Sequence, residues 1–283
     1  MKRFFILTLI IIIFLNSLAL SVFFLFHSHS NFRAIRNRSI ADTEQQLMNR
    51  LESFHTLIQP FEERARRRNE RVLREIYEEL VDRTDGRPFR ADEAMLSSLA
   101  GTYGDVDIYL INSEGVVEKS SFAEDVGLDL FGLDESFREF LESVFGKGRI
   151  FTQRLSLSNM GGTKMIYSYF SPRGSRYILE TSLPFGSFIR ERYSQELYRH
   201  LFDEFFTEII TRHSVIGDFD ILYRTNVSTR SLLDGKEVVL EEPVLERLEA
   251  GETYRKQHGD ELTVYSKRSM RRSGFAFVQF PIV

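Results

Sequence analysis

The sequence predicts an α+β protein in which an N-terminal transmembrane helix and a long stalk helix precede two lobes, each an antiparallel sheet with flanking helices. Three observations lead to this prediction. An almost unbroken apolar run occupies residues 4–26. Apolar residues then recur at helical spacing over residues 40–80. Beyond residue 105 the pattern changes twice to short strands that are separated by turn residues.

The apolar run at 4–26 is long enough to span a bilayer, because about 20 such residues cross the hydrocarbon core as a helix. Lys2 and Arg3 before it favour a cytoplasmic N-terminus, although three arginines between residues 33 and 38 lie on the other flank. We therefore expect residues 1–32 to be a transmembrane anchor in the cell inner membrane, with the rest of the chain outside the cytoplasm.

A cleaved signal peptide is the alternative interpretation of this run, with Ser17-Leu18-Ala19 as a small-x-small cleavage site. Cleavage there would leave the apolar residues 22–26 close to a new N-terminus. This consequence favours the uncleaved anchor.

Residues 33–91 are predicted to form the stalk helix region. From Leu47 to Ala65 the gaps between apolar residues alternate between four and three, which is typical of a helix with one narrow apolar seam. Pro60 is expected to kink this helix or divide it into two pieces. The seam would pack on the folded body of the protein, or on its twin in a homodimer.

Residues 92–185 are predicted to form the first lobe, beginning with a short helix that Asp92 caps. Short turns between strand patterns predict an antiparallel sheet, with helices inserted between its second and third strands. Asp134 is expected to cap the longer inserted helix, which should stop at Gly146-Lys147-Gly148. The five strands are expected at residues 106–111, 116–119, 149–157, 163–170 and 176–183.

Residues 186–214 are predicted to contain one connecting helix, because apolar residues recur at every fourth position from 189 to 209. Residues 215–283 then repeat the earlier pattern of a helix, a glycine stop and three strands, which indicates a duplicated lobe. The sequence leaves open whether this second lobe is complete. Its elements are expected at 218–224 (strand), 242–250 (helix), and 253–257, 261–267 and 274–282 (strands).

Composition and motifs argue against several classes of function. The chain has no cysteine, so disulfides, thiolate zinc sites and thiol nucleophiles are excluded. A net charge of -4 gives no electrostatic argument for nucleic acid as a partner. No two of the six histidines stand four residues apart, as they do in a zinc-binding His-Glu-x-x-His helix, and no Gly-x-Ser-x-Gly elbow or phosphate loop occurs. Glu62 and Glu63 are adjacent and so point apart, which predicts solvated carboxylates. We therefore expect no catalytic residue, no metal site, no cofactor and no enzyme in this chain.

One segment carries a family resemblance. The sequence VDIYLINSEGVV at 106–117, followed by GLDL at 127–130, combines a hydrophobic strand, an Asn-x-x-Gly turn, a return strand and a Gly-x-Asp segment before a helix. This combination resembles the core of double-Cache domains, the tandem PAS-like sensor domains that bacterial membrane receptors carry outside the cytoplasm. The long helix before the segment and the connecting helix after it are also similar, so the resemblance covers roughly residues 33–283.

The resemblance implies two PAS-like lobes, with 92–185 distal to the membrane, 186–214 connecting and 215–283 proximal. It implies the extracytoplasmic ligand-sensing region of a transmembrane receptor of the histidine kinase, chemoreceptor or cyclic-dinucleotide enzyme type. A second span, and any catalytic output module, would then lie beyond residue 283. The alternative that stays open is a membrane-tethered structural or protein-interaction module without a small-molecule ligand.

A ligand pocket, if the first lobe has one, is expected between the sheet and the inserted segment 120–145. Strand alternation places Tyr167 and Tyr169 on one face. The plainer interpretation is that the tyrosines are packing residues and the arginines are solvated. The candidate ligand-binding residues are Tyr109, Arg138, Arg154, Tyr167 and Tyr169.

One subfamily of these sensors binds free amino acids through an aromatic-rich helix with an arginine and a later strand aspartate. Arg138 is in about the matching helix, but Gln153 lies near the place of the carboxylate. Because a desolvated ammonium group needs an acidic partner, the sequence does not predict amino-acid binding, and the identity of the ligand stays open.

Overall fold

The computed structural model divides the chain into two compact units, Met1–Ser53 and Phe54–Val283. For most positions before residue 52 it describes the backbone but not the burial of the side chain. Within the described part of the chain, no helix has both the length and the apolar character that a membrane crossing needs. The described residues are 2–133, 135–158, 162–205, 220–224, 229–231, 235–250, 252, 254–258, 261–269 and 275–282.

A single helix, α1 (Lys2–Arg83), confirms the predicted long helix. Pro60 lies inside it and does not divide it, so the helix continues as one element. From residue 54 onward nearly all of its buried apolar side chains are three, four or seven residues apart, which is the spacing of one helix face. These buried residues are Phe54, Ile58, Ala65, Val72, Leu73, Ile76 and Leu80.

A turn with Asp85 and Gly86 at positive φ ends α1, and a short 3₁₀ helix (Pro88–Arg90) follows it. The next helix, α2 (Glu93–Tyr103), begins where the Asp92 side chain accepts a hydrogen bond from the Met95 amide at 2.8 Å. This confirms the predicted cap.

The first sheet has six strands: β1 (Asp107–Ile111), β2 (Val117–Ser120), β3 (Ile150–Thr152), β4 (Ser156–Leu157), β5 (Lys164–Phe170) and β6 (Ile178–Pro184). Their order is β2-β1-β6-β5-β3, with β4 also paired to β5, and every pairing is antiparallel. A 3₁₀ turn (Ala123–Asp125) and helix α3 (Glu135–Val144) are inserted between β2 and β3. Asp134, the predicted cap of α3, lies outside the described residues.

The predicted single strand at 149–157 is wrong, because the chain leaves the sheet between β3 and β4. The reason lies on α1, where the Glu62 carboxylate accepts hydrogen bonds from the Arg154 guanidinium and from the Leu155 amide. These bonds replace the ladder that a continuous strand would have formed.

The predicted continuous connecting helix is also wrong within the described residues. Helix α4 (Phe185–Arg192) ends at Tyr193, α5 (Gln195–Arg199) begins after Ser194, and a π-helical turn follows at His200–Glu204. The break arises because Ser194 has extended backbone and its side chain accepts a hydrogen bond from the Leu197 amide, as an N-cap does.

The second sheet consists of β7 (Asp220–Arg224), β8 (Thr229–Ser231), β9 (Tyr254–His258), β10 (Glu261–Ser269) and β11 (Phe275–Ile282). Their order is β8-β7-β11-β10-β9, again antiparallel throughout. Helix α6 (Glu242–Glu249) buries Val244 and Leu248 together with Leu222 of β7. The predicted helix and three following strands are therefore present, whereas β8 was not predicted.

Two loops meet backbone to backbone at Gly162 and Gly235. A Cβ atom added at Gly162 would lie 2.2 Å from the carbonyl oxygen of Gly235. The φ of Gly162 is +63°, which side-chain-bearing residues rarely adopt. Both the conformation and the contact therefore require glycine at this position.

Candidate ligand-binding site

The centre of the first sheet carries two rows of polar and aromatic residues on one face. Tyr109 of β1 and Tyr169 of β5 stand directly opposite Glu180 of β6, one on each side. Two residues along the strands, Asp107 and Tyr167 flank Ser182 in the same way. Because side chains two apart on a strand share a face, both rows point the same way. We call these six residues, Asp107, Tyr109, Tyr167, Tyr169, Glu180 and Ser182, the acidic face.

The rows continue onto β3 and the residue after it. Phe151 is paired with Tyr169, and the Gln153 amide donates a hydrogen bond to the Tyr167 carbonyl oxygen at 2.9 Å. The Tyr169 hydroxyl donates to Oε1 of Gln153 at 3.2 Å. Gln153 therefore borders the acidic face at the edge of the sheet.

The inserted segment is held against the sheet by the turn that carried the family resemblance. The Asn112 side chain accepts hydrogen bonds from the amides of Glu114 and Val116 at 3.0 and 3.1 Å, which closes the turn. Gly115 has a φ of +78°, and a Cβ there would lie 2.2 Å from the Phe131 ring. The motif thus needs glycine both for the turn and for the approach of Phe131.

The GLDL segment returns along β2. The amides of Gly127 and Val117 donate to the carbonyl oxygens of Val117 and Leu128 at 2.8 and 3.0 Å. This pairing brings the preceding 3₁₀ turn to the site, where the negative charge of Asp125 acts on Asp107, Tyr109 and Glu180. A third acidic side chain therefore joins the two on the face.

Apolar residues of the inserted segment bury the acidic face. Leu130, Leu141 and Val144 form one cluster with Tyr109 and Tyr169. The Phe140 ring packs edge to face against Tyr169 at a centroid distance of 5.2 Å. As a result Tyr169 is 1% exposed, and Tyr109 and Glu180 are each 6% exposed.

Burial makes the acidic side chains hard to ionise. Burial, followed by the negative charge of Asp125, raises the pKa of Glu180 to about 8, against the opposing effect of its hydrogen bond from Tyr169. Burial is also the main cause that raises the pKa of Asp107 and of Asp125. Burial raises the pKa of Tyr109, Tyr167 and Tyr169 as well, so these phenols are neutral hydrogen-bond donors.

Among the described residues, no lysine or arginine compensates these carboxyl groups. The charged neighbours that act on Glu180, Asp107 and Asp125 are all acidic: Asp125 on Glu180, Asp105 and Asp125 on Asp107, and Glu124 on Asp125. The described residues also contain no cluster of three or more ligating side chains that could hold a metal ion. The face therefore presents carboxyl and phenol groups, which are complementary to a cation rather than to an anion.

The structure brings together three of the five residues predicted from the sequence, namely Tyr109, Tyr167 and Tyr169. Arg138 is instead exposed on α3, where it pairs with Glu142 at 3.0 Å and lies over the Phe131 ring. Arg154 pairs with Glu62 of α1 at 2.9 Å. Glu62 is only 4% exposed, so its predicted solvation is wrong.

Sequence reasoning missed Asp107, Asp125, Glu180 and Ser182. A signal was present, since Glu180 and Ser182 occupy alternate positions in a strand that has apolar residues at both ends. The argument against amino acids rested on Gln153 as the residue in place of the carboxylate. Buried Glu180 and the half-buried Asp107 and Asp125 remove that argument, because an acidic partner for an ammonium group is available.

No family model matches the chain, and no curated protein matches it. Three solved structures illustrate what it is similar to. The sensor domain of the Vibrio cholerae histidine kinase DctB has 10% identity and a TM-score of 0.43, covering 83% of this chain and 97% of that one. The sensory domain of the Campylobacter jejuni chemoreceptor Tlp3 with isoleucine bound has 11% identity and a TM-score of 0.40, covering 87% and 94%.

The third structure is an extracellular ligand binding receptor from Desulfohalobium retbaense, with 11% identity and a TM-score of 0.35. The match covers 81% of this chain but only 40% of the receptor. The first two structures are sensor domains of a histidine kinase and of a chemoreceptor. All three TM-scores are below 0.5.

Proposed function

We propose that the chain is the extracytoplasmic ligand-sensing region of a transmembrane signal-transduction receptor, and that its acidic face binds a small organic amine. The observation that carries this proposal is Glu180, a buried carboxyl group between two tyrosines with no described cationic partner. A buried acid of this kind is unfavourable for folding alone, and such groups cluster at functional sites.

The composition of the acidic face matches what an ammonium group needs. Three carboxyl groups supply charge-assisted hydrogen bonds, and three tyrosine rings supply surfaces that attract cations. Phe137 and Phe140 of α3 add an apolar wall that packs against Tyr169. An amine with an apolar portion satisfies both parts of this site, whereas an anion would meet three acidic groups.

The membrane attachment belongs to the same proposal. The anchor at 1–32 is supported by the apolar run 4–26 and by the described side chains within it, of which Phe23 is 69% and Phe24 73% exposed. Apolar side chains exposed in this number on one helix need a cover, and a bilayer supplies it. We further propose that the chain forms two PAS-like lobes, that it forms a homodimer through α1, and that the receptor has a second span beyond residue 283.

The test is a thermal-shift screen of the full chain in detergent at pH 8, with amino acids, amino-acid amides, diamines and matched carboxylic acids. A ligand that binds only the folded state must stabilise it, by about 2.7 kcal/mol at a hundredfold excess over its Kd. We expect amines to raise the Tm and the amine-free acids not to. Stabilisation by no compound would contradict the proposal and favour the tethered interaction module.

A further inference from the structure

The buried side of α1 carries three polar residues on the face that packs against the first sheet. Glu62, Arg66 and Asn69 are spaced four and three residues apart, so they lie on one side of the helix. Glu62 is 4% exposed and Asn69 is fully buried. We call these three residues the α1 polar stripe.

Each member of the α1 polar stripe is hydrogen-bonded to the sheet or, for Glu62, to the segment between β3 and β4. The bonds of Glu62 to Arg154 and Leu155 are described above. Arg66 Nη2 donates a hydrogen bond to the Thr152 carbonyl oxygen at 3.2 Å. Asn69 Nδ2 donates to the carbonyl oxygens of Ile166 and Thr181 at 2.9 and 3.0 Å. Its Oδ1 accepts from the Thr181 hydroxyl at 3.0 Å.

All of these contacts except the one to Leu155 are made by residues next in sequence to a residue of the ligand site. Thr152 and Arg154 flank Gln153. Ile166 precedes Tyr167, and Thr181 lies between Glu180 and Ser182. Since neighbouring residues of a strand point to opposite faces, the α1 polar stripe holds from behind the same backbone that presents the acidic face in front.

Hydrogen bonds between α1 and the strands couple the movements of the two more tightly than apolar packing does. Apolar contacts are non-directional, so a helix can shift along them with little loss. Hydrogen bonds fix both distance and angle, so a displaced strand must either move its partner or lose the bond. The stripe is also not fully satisfied, because the Arg66 Nε is buried without a hydrogen-bond partner among the described residues. A spare donor of this kind favours a second arrangement of the same elements.

We propose that the α1 polar stripe positions the acidic face and passes its change of state to α1. Glu62, Arg66 and Asn69 act as positioning residues through Thr152, Arg154, Ile166 and Thr181. When the charge at Glu180 changes, strands β5 and β6 adjust, and α1 follows them through these bonds. This inference deepens the proposed function and rests on it only for the identity of the ligand.

The test uses no ligand; it changes the charge at position 180 by a substitution instead. Glu180→Gln removes the carboxylate charge, and at pH 9 most of this group is ionised in the unsubstituted chain because its pKa is about 8. Pulsed amide hydrogen exchange of the full chain then reports on α1 residues 58–76. We expect Glu180→Gln to change exchange in this stretch by at least about threefold, a shift that local opening equilibria make measurable.

Two neighbouring arginines supply a matched control. Arg66→Gln removes a contact to the sheet, whereas Arg67→Gln alters a side chain that is 73% exposed and paired with Glu63. The α1 response to Glu180→Gln should persist in the Arg67→Gln background and disappear in the Arg66→Gln and Asn69→Ala backgrounds. Arg66 is less buried than Asn69, so at least this variant should fold.

Either of two results would overturn the inference: no α1 response to Glu180→Gln, or an equal response in all four backgrounds. Because no ligand is used, a failed amine screen would leave this test intact. Conversely, a failure here would leave any observed amine binding unaffected.

Discussion

Tyr169 and Glu180 stand opposite each other on β5 and β6, where the tyrosine hydroxyl donates to the Gln153 amide oxygen at 3.2 Å and the Glu180 carboxyl group is a second acceptor beside it. A phenol has one proton to donate, so it serves one of these acceptors fully at a time. Ionised Glu180 is the stronger acceptor. The charge state of one buried side chain therefore sets the hydrogen bonding at the centre of the site.

Glu180→Gln should weaken the binding of any amine that stabilises the chain by about 10- to 100-fold, because it removes a charge-assisted hydrogen bond from a buried site. Isothermal titration calorimetry at pH 8 measures this change. Glu114→Gln is the matched control, since Glu114 is exposed in the turn between β1 and β2. Equal losses in both variants would place the binding site elsewhere.

The free energy of unfolding of the empty protein should fall as the pH rises from about 5 to 8. The folded-state pKa of Glu180, about 8, lies above its ordinary value of 4.5. Over this interval the unfolded state has released the proton while the folded state still holds it, so rising pH favours unfolding. At 1.36 kcal/mol per pKa unit the loss is at most about 5 kcal/mol.

Urea unfolding at several pH values measures this dependence. In Glu180→Gln the corresponding part of the slope should be absent, and what remains belongs to other groups such as Asp107 and Asp125. A variant that kept the full slope would show that another group causes it.

The affinity for an amine should have the opposite pH dependence. A cationic ligand binds best to ionised Glu180, so at pH 6 the site must release a proton before binding. We expect binding to be about 10- to 100-fold weaker at pH 6 than at pH 8, measured by titration calorimetry in buffers of different ionisation enthalpy. Proton release that does not depend on the presence of Glu180 would contradict this assignment.

The elements of the first sheet follow from local patterns, and the exceptions have identifiable causes. Alternating residues and short turns located β1, β2, β5 and β6 to within two residues. The break at Ser194 was missed because apolar spacing continues across it, from Tyr193 to Leu197. A single capping hydroxyl outweighed that spacing.

Removing Arg154 should destabilise the protein by about 3 kcal/mol, because the Glu62 carboxylate would remain buried with its charge partner lost. Removing Arg138, the other arginine predicted for the site, should have a much smaller effect, because its pair with Glu142 is solvent-exposed. Chemical unfolding of Arg154→Ala and Arg138→Ala measures both values. Adding Glu62→Gln to Arg154→Ala should restore part of the loss. Equal effects of the two arginines would refute this difference.

Only part of the candidate site could be predicted from the sequence, because its residues are brought together by the register of strands that are distant in sequence. Tyr167 and Tyr169 share a face by simple alternation within one strand. Placing Glu180 between Tyr109 and Tyr169 requires the pairing of three strands, one of which begins more than 50 residues before the others. Glu62 likewise finds its partner 92 residues away. Neither pairing can be inferred from the spacing of residues within one segment of the sequence.

The contact between Gly162 and Gly235 has a consequence for how this protein can change over time. The residues of a protein core can be substituted during evolution because a change in one side chain can be compensated by a change in another. The contact between Gly162 and Gly235 is made by backbone atoms, so no such compensation is available there. Any residue introduced at position 162 acts as a wedge that forces two backbones apart. The spacing of these two loops is therefore open to adjustment only by a change in the path of the chain itself.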